Sequence, residues 1–145
     1  MQIQRLAACI GLTLLGSTPV WAGRGDIDPN YGEGGRVSAT SAVVLALPGD
    51  RLVIADAASE AGFRVRMVDA AGRNVSTFGE GGVVLFDAAA AARTLVPEAI
   101  ALAPNGDLII TGGRLDSGAR ALLRLGNDGQ PVLSFGDRGD GLIEP

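Results

Sequence analysis

One stretch of sequence decides the fold of this chain, and it reads Phe78-Gly79-Glu80-Gly81-Gly82-Val83-Val84. Related versions occupy residues 31–37, which begin with Tyr31, and residues 135–141, which begin with Phe135. Each version combines an aromatic residue with a glycine-rich turn that leads into an apolar segment, as at the start of a strand. Such a pattern, recurring along the chain, predicts a tandem structural repeat.

The spacing of the copies supports a true repeat. Tyr31 and Phe78 are 47 residues apart (78 − 31), and Phe78 and Phe135 are 57 apart (135 − 78). A second landmark, the turn that begins at Pro48, returns at Pro104, 56 residues later (104 − 48). Most of the extra length in the second interval lies between the glycine motif and this turn. Insertions confined to loops are typical of tandem units.

Apolar segments between turn-forming residues predict four strands per repeat, arranged as an antiparallel meander. The predicted strands cover residues 43–47, 52–55, 63–68 and 83–86, followed by 99–103, 108–111 and 120–125. The charged positions differ between segments 63–68 and 120–125, so the sequence leaves open which face of this strand points inward.

Two connecting segments carry further expectations. In the turn Pro104-Asn105-Gly106-Asp107, the Asn-Gly pair predicts a tight hairpin with positive φ at both central residues. Residues 87–96 contain five consecutive alanines and predict either a short helical turn or a surface loop.

The order of these landmarks resembles the delta-sixty repeat, a bacterial family of propeller-like tandem units. The resemblance covers about residues 25–144 and is best in the second copy, at Phe78-Gly79, Gly82-Val83, Pro104-Asn105-Gly106-Asp107, Leu108 to Gly112, Arg124-Leu125 and Asp128-Gly129. Arg51 and Asp107 stand where the family has a hairpin lysine, and Met67-Val68 replaces the family's Arg-Leu pair. The resemblance implies β-propeller blades, and it implies no catalytic residues.

We therefore expect an all-β domain over residues 23–145, made of tandem four-stranded antiparallel propeller-blade units. The units are 25–71, 72–128 and a partial third at 129–145, so the chain supplies about two blades of an incomplete propeller. Closed propellers contain about four to eight blades. Three outcomes stay open: a fragment of a longer protein, several copies in a ring, or two sheets packed against each other.

The N-terminus predicts export. Arg5 precedes an apolar run over residues 6–15, and Ala22 ends a short segment suited to signal-peptidase cleavage, so residues 1–22 are the predicted signal peptide. Cleavage would remove Cys9, the only cysteine, and would leave no membrane span. All 12 basic residues are arginines, set against 16 acids, and they form no basic patch suited to nucleic acid. The predicted location is periplasmic or extracellular.

Candidate chemistry is sparse. The chain has no histidine or lysine, which removes the commonest general base and the Schiff-base amine, and no pair of acids is marked out for glycoside hydrolysis. We therefore predict no catalytic residues, no cofactor-binding residues and no enzyme activity. Asp26, Asp28 and Asn30 have the spacing that opens a calcium loop, although a proline-containing turn explains the same residues.

The sequence thus predicts an exported, non-catalytic repeat protein that acts as a binding or structural module. The expected partner is a protein or a glycan, or a further copy of the chain in a homo-oligomer. The alternative is a fragment of a larger exported propeller enzyme or adhesin whose functional residues lie on other blades.

Overall fold

The computed structural model of the protein describes residues 26–58, 62–86 and 94–144, and these contain strands and turns but no helix. Eight strands form two antiparallel sheets of four strands each, which confirms the predicted all-β fold of tandem four-stranded units. The first sheet contains β1 (Val43–Leu47), β2 (Arg51–Ala58), β3 (Gly62–Val68) and β4 (Val83–Phe86). The second contains β5 (Leu95–Leu102), β6 (Leu108–Arg114), β7 (Arg120–Leu125) and β8 (Leu142–Ile143). Residues 87–93, in the segment expected to be a loop or helical turn, and the predicted signal peptide lie outside the described residues.

Both sheets are simple meanders in which each strand pairs with its neighbour in sequence. The glycine motif at 78–84 leads into β4, which pairs with β3, so the motif completes the sheet before it. The motif at 135–141 leads into β8 in the same way, and β8 pairs with β7. The first motif, at 31–37, belongs to neither sheet. It therefore resembles the closing segment of a unit that would precede the first sheet.

The two central hairpins use different turns at corresponding places. Between β1 and β2, Gly49 and Asp50 both have positive φ, 77° and 56°, as a type I′ turn requires. Between β5 and β6 only Gly106 has positive φ, at 91°, and its N–H donates to the carbonyl of Ala103 at 2.9 Å. The expected positive φ at Asn105 is therefore wrong. In the longer β5–β6 loop, Gly106 is the single residue with positive φ, and it follows turn residues with negative φ.

One hydrophobic core lies between the two sheets. From the first sheet and its motif it contains Val53, Val65 and Phe78, all completely buried. From the second sheet it contains Ile110 and Leu123, whose exposed fraction is at most 1%. Burial of branched and aromatic side chains on facing strands is the main force that holds the sheets together.

The first and second sheets do not turn the same face of the repeat toward this core. Met67 on β3 points into the core, but its counterpart 57 residues later, Arg124 on β7, lies on the opposite face of its sheet from the core residue Leu123. Conversely, Leu123 is the counterpart of Arg66, which lies on the face of the first sheet away from the core. This explains why the charged positions alternate differently in the two copies. The sheets stack in the same orientation, one behind the other, unlike a two-fold sandwich in which equivalent faces meet.

A backbone contact between successive units occurs twice with the same geometry. Gly32 of the first motif donates its N–H to the carbonyl of Ala71 at 2.8 Å, and Gly79 of the second motif donates to Asp128 at 2.7 Å. Each acceptor precedes a glycine in a left-handed turn. A Cβ on that glycine would lie 2.6 Å from Gly32 N in the first contact and 2.6 Å from the Val84 side chain in the second. The repeat thus conserves the contact between units as well as the units themselves.

Candidate functional site

The first motif and the first sheet enclose a cleft of about 330 Å³. Half of the residues that line it are charged, with Arg36 and Glu33 from the motif segment and Arg66 and Arg73 from the sheet and its following turn. The backbone on the motif side carries glycines, so main-chain atoms are accessible at the wall. A polar, concave surface of this kind is where a repeat scaffold most readily holds a ligand.

Arg66 is the most deeply placed cation of the cleft. It lies on β3 with 14% of its side chain exposed, and one Nη donates to the carbonyl of Ser38 at 2.6 Å. The same nitrogen lies 3.5 Å from a carboxylate oxygen of Asp56. Its Nε is buried and has no hydrogen-bond partner within the described part of the chain. An unsatisfied donor on a buried guanidinium is costly.

The counterion of Arg66 is shared. Asp56, on β2, is completely buried and accepts two hydrogen bonds from Arg64, at 2.9 Å to Nε and 2.7 Å to Nη. These hydrogen bonds raise the pKa of Arg64. Because the two-pronged geometry commits the carboxylate mainly to Arg64, the charge of Arg66 is only partly balanced.

The remaining charges leave the cleft positive. Asp69 binds Arg73 through oxygen–nitrogen distances of 3.0 and 3.2 Å, so that pair is neutral. Arg36 is exposed. The described charged residues of the cleft and their ion-pair partners comprise four arginines, at 36, 64, 66 and 73, and three acids, at 33, 56 and 69. Their sum is one net positive charge. The chain as a whole carries −4. The cleft therefore has the opposite sign from its surroundings and suits an anionic group.

The other ion pairs with short contacts hold strands and turns. Asp116 and Glu144 both accept from Arg114, which ties the β6–β7 turn to the chain after β8. Hydrogen bonds from Arg114 hold the pKa of Asp116 well below its usual range. Hydrogen bonds from Asn105 and then from Arg124 lower the pKa of Asp107. Asp107 directly precedes β6, and Arg124 lies on the neighbouring β7. These acids stabilise local structure in their ionised forms.

This network predicts loss of stability in acid. The pKa values of Asp69, Asp107 and Asp116 are lower in the folded protein than the ordinary value of 3.8. A depressed folded pKa stabilises the protein above the unfolded pKa, and that contribution is lost as pH falls from about 4 through the folded values. We expect the urea midpoint to fall steadily below pH 4, and Asp116→Asn to flatten this slope. A midpoint independent of pH in that range would contradict the prediction.

The three predicted calcium residues lie together in an exposed turn before the first motif. A carboxylate oxygen of Asp28 accepts the backbone N–H of Asn30 at 2.9 Å, which is an Asx turn. Asp26, Asp28 and Asn30 are all exposed. Across residues 26–58, 62–86 and 94–144, no three acidic, histidine or cysteine side chains gather as a metal site. Calcium binding at this turn stays a prediction from sequence.

Sequence reasoning missed the Asp56 cluster, although a signal was present. Asp56 directly follows the predicted apolar segment 52–55, and Arg64 and Arg66 are two residues apart in the next segment. Once β2 and β3 are paired in register, Asp56 lies directly opposite Arg64, and Arg66 falls on the same face. Pairing the predicted strands as a hairpin would have brought these three charges together.

Comparison with known proteins adds no relative: no family model, curated protein or solved structure matches the chain. The resemblance to the delta-sixty repeat therefore stays a prediction from the sequence landmarks. Among the described residues, none belongs to a helix long and apolar enough to cross a membrane.

Proposed function

We propose that the protein is an exported, non-catalytic repeat module that binds the anionic group of a glycan. The observation that carries the proposal is the arginine-lined cleft between the first motif and the first sheet. Arg66 lines it with 14% of its side chain exposed, Arg36 is exposed, and the net charge counted for the cleft is opposite to that of the chain. An arginine fork matches the geometry of a carboxylate and forms strong, charge-assisted hydrogen bonds with it.

Arg66 and Arg36 occupy different positions in the cleft, which suggests different roles in binding. Arg66 is fixed by Ser38 and Asp56 and supplies a preorganised positive charge to the cleft. Arg36 is exposed, and no carboxylate of residues 26–58, 62–86 and 94–144 forms an ion pair with it of the kind that neutralises Arg73. A ligand carboxylate would be oriented by the first and attracted by the second. The polar backbone and Glu33 at the wall suit the hydroxyl groups of a sugar.

Titration calorimetry with glucuronate, and with glucose as the neutral control, tests this proposal. We expect glucuronate to bind and glucose to give no heat. Arg36→Gln should weaken binding by about tenfold or more, because a charge-assisted hydrogen bond contributes about 1.5–3 kcal/mol. Arg51→Gln, which alters an exposed arginine away from the cleft, is the matched control and should bind like the unaltered protein. Equal affinities for the two sugars would refute the proposal.

The alternative function, a fragment of a larger exported propeller enzyme or adhesin, is favoured by a different observation. The outer face of the second sheet has half-exposed apolar residues at Ile109 and Leu122. Further blades encoded after Pro145 would cover that face. Reading the DNA downstream for more copies of the Phe-Gly-x-Gly-Gly motif tests this alternative directly.

A further inference from the structure

Three apolar positions on the outer face of the second sheet and in the third motif correspond to core positions of the first sheet and the second motif. Val53, Val65 and Phe78 are completely buried against the second sheet. Their counterparts 56 or 57 residues later are Ile109, Leu122 and Phe135, and all three are half-exposed. These three positions keep their apolar character and are only partly covered, while Arg120 and Arg124 replace Phe63 and Met67 on the same face.

The same end of the molecule also lacks one backbone contact. Gly32 and Gly79 each donate to the turn of the unit that follows. Gly136 occupies the equivalent position in the third motif, and its N–H has no backbone acceptor among residues 26–58, 62–86 and 94–144. An apolar face and an unused donor thus coincide at one edge.

We propose that this edge binds the first sheet of a second copy of the chain, in the head-to-tail manner in which the two sheets already stack. In this arrangement Gly136 donates to the carbonyl of Ala71 in the second copy, and Phe135 enters the interface as Phe78 does within one chain. Arg124 does not oppose this packing, because Asp107 binds it at 2.7 Å and its guanidinium lies over the Phe135 ring, 5.6 Å from the centre.

The receiving turn in each copy is already occupied by that copy's own first motif. Gly32 donates to Ala71, and Gly72 lies against the backbone of Gly32. The first motif is therefore a cap, which competes with the third motif of another molecule for the same turn. Head-to-tail association requires the cap to leave. This inference goes beyond the proposed glycan binding and does not depend on it.

Gly32→Val tests the proposal by dislodging the cap while leaving the receiving turn intact. Gly32 has φ of +55°, and a Cβ there would lie 2.2 Å from the Arg36 carbonyl oxygen, so the motif cannot keep its shape. We expect the mass of this variant, measured by sedimentation equilibrium, to rise with concentration beyond that of the unaltered protein. Gly34→Ala, in the same motif, is the control, because its Cβ would meet nothing within 4 Å.

Two further variants assign the association to the proposed surfaces. Adding Phe135→Ala removes the aromatic anchor from the donor face, and Gly72→Val fills the receiving turn. Each should return Gly32→Val to a constant monomer mass. Association that persists in both would overturn the proposal, as would a Gly32→Val protein that stays monomeric. If Gly32→Val does not fold, a chain beginning at Ser41 takes its place. Unfolding of both would also refute the proposal, since a segment needed for folding cannot exchange.

Discussion

Phe78→Ala should lower the free energy of unfolding by about 3–5 kcal/mol, the usual cost of deleting a large buried aromatic side chain. Phe78 is completely buried, and its ring reaches the turn of the next unit, where a Cβ on Gly129 would lie 3.2 Å from it. Truncation therefore leaves a cavity at the junction of the two sheets. Urea denaturation with a common slope for both proteins measures the loss.

Phe135→Ala is the matched control for that experiment. It makes the same chemical change at the same repeat position, but Phe135 is half-exposed and its ring contact is with Arg124. We expect a smaller loss than at Phe78, because less apolar surface is buried there and the cation–π contact contributes about 0.5–1 kcal/mol. Equal losses in the two variants would show that the second motif does not anchor the two sheets as described.

These two phenylalanines show that the sequence predicts the strands and the repeat but does not predict which repeat positions are buried. Local features were accessible: apolar segments gave the strands, and the recurring glycine motif gave the repeat. Both phenylalanines begin a copy of the same motif, so the sequence does not distinguish their roles. Only the packing shows that Phe78 lies between two sheets and that Phe135 lies at an open edge. Burial depends on the neighbouring unit, which a repeat pattern does not specify.

The arginine cleft was beyond sequence reasoning for a related reason. Its walls come from residues 32–38 and from residues 66–73, which are brought together by the contact of Gly32 with Ala71. The alternation of charge in β3 was one sequence feature that indicated a difference between the faces of the two sheets. Arg64 and Arg66 would lie on an inner face if the first sheet used the same face as the second. Since consecutive sheets present opposite faces to their shared core, these arginines instead face the first motif.

Asp56→Asn should cost about 3 kcal/mol or more, because removing one partner of a buried ion pair leaves the other charge uncompensated. Asp56 is fully buried and is the carboxylate shared by Arg64 and Arg66. Glu98→Gln is the control. Its partner Arg120 is 66% exposed, and exposed pairs contribute about 0–1 kcal/mol. Urea denaturation of both variants gives the comparison, and similar small losses would mean that Asp56 is not a structural counterion.

A second substitution separates charge from packing in the Asp56 cluster. The residue that corresponds to Arg66 in the second sheet is Leu123, an apolar residue that is 1% exposed. The repeat scaffold thus accepts leucine at this position. Arg66→Leu in the Asp56→Asn background removes the buried cation that has lost its counterion, so we expect the double variant to be more stable than Asp56→Asn alone. A double-mutant cycle measures the coupling between the two residues. If the two losses simply add, Arg66 draws its stabilisation from Ser38 and the surrounding side chains, and Asp56 serves Arg64 alone.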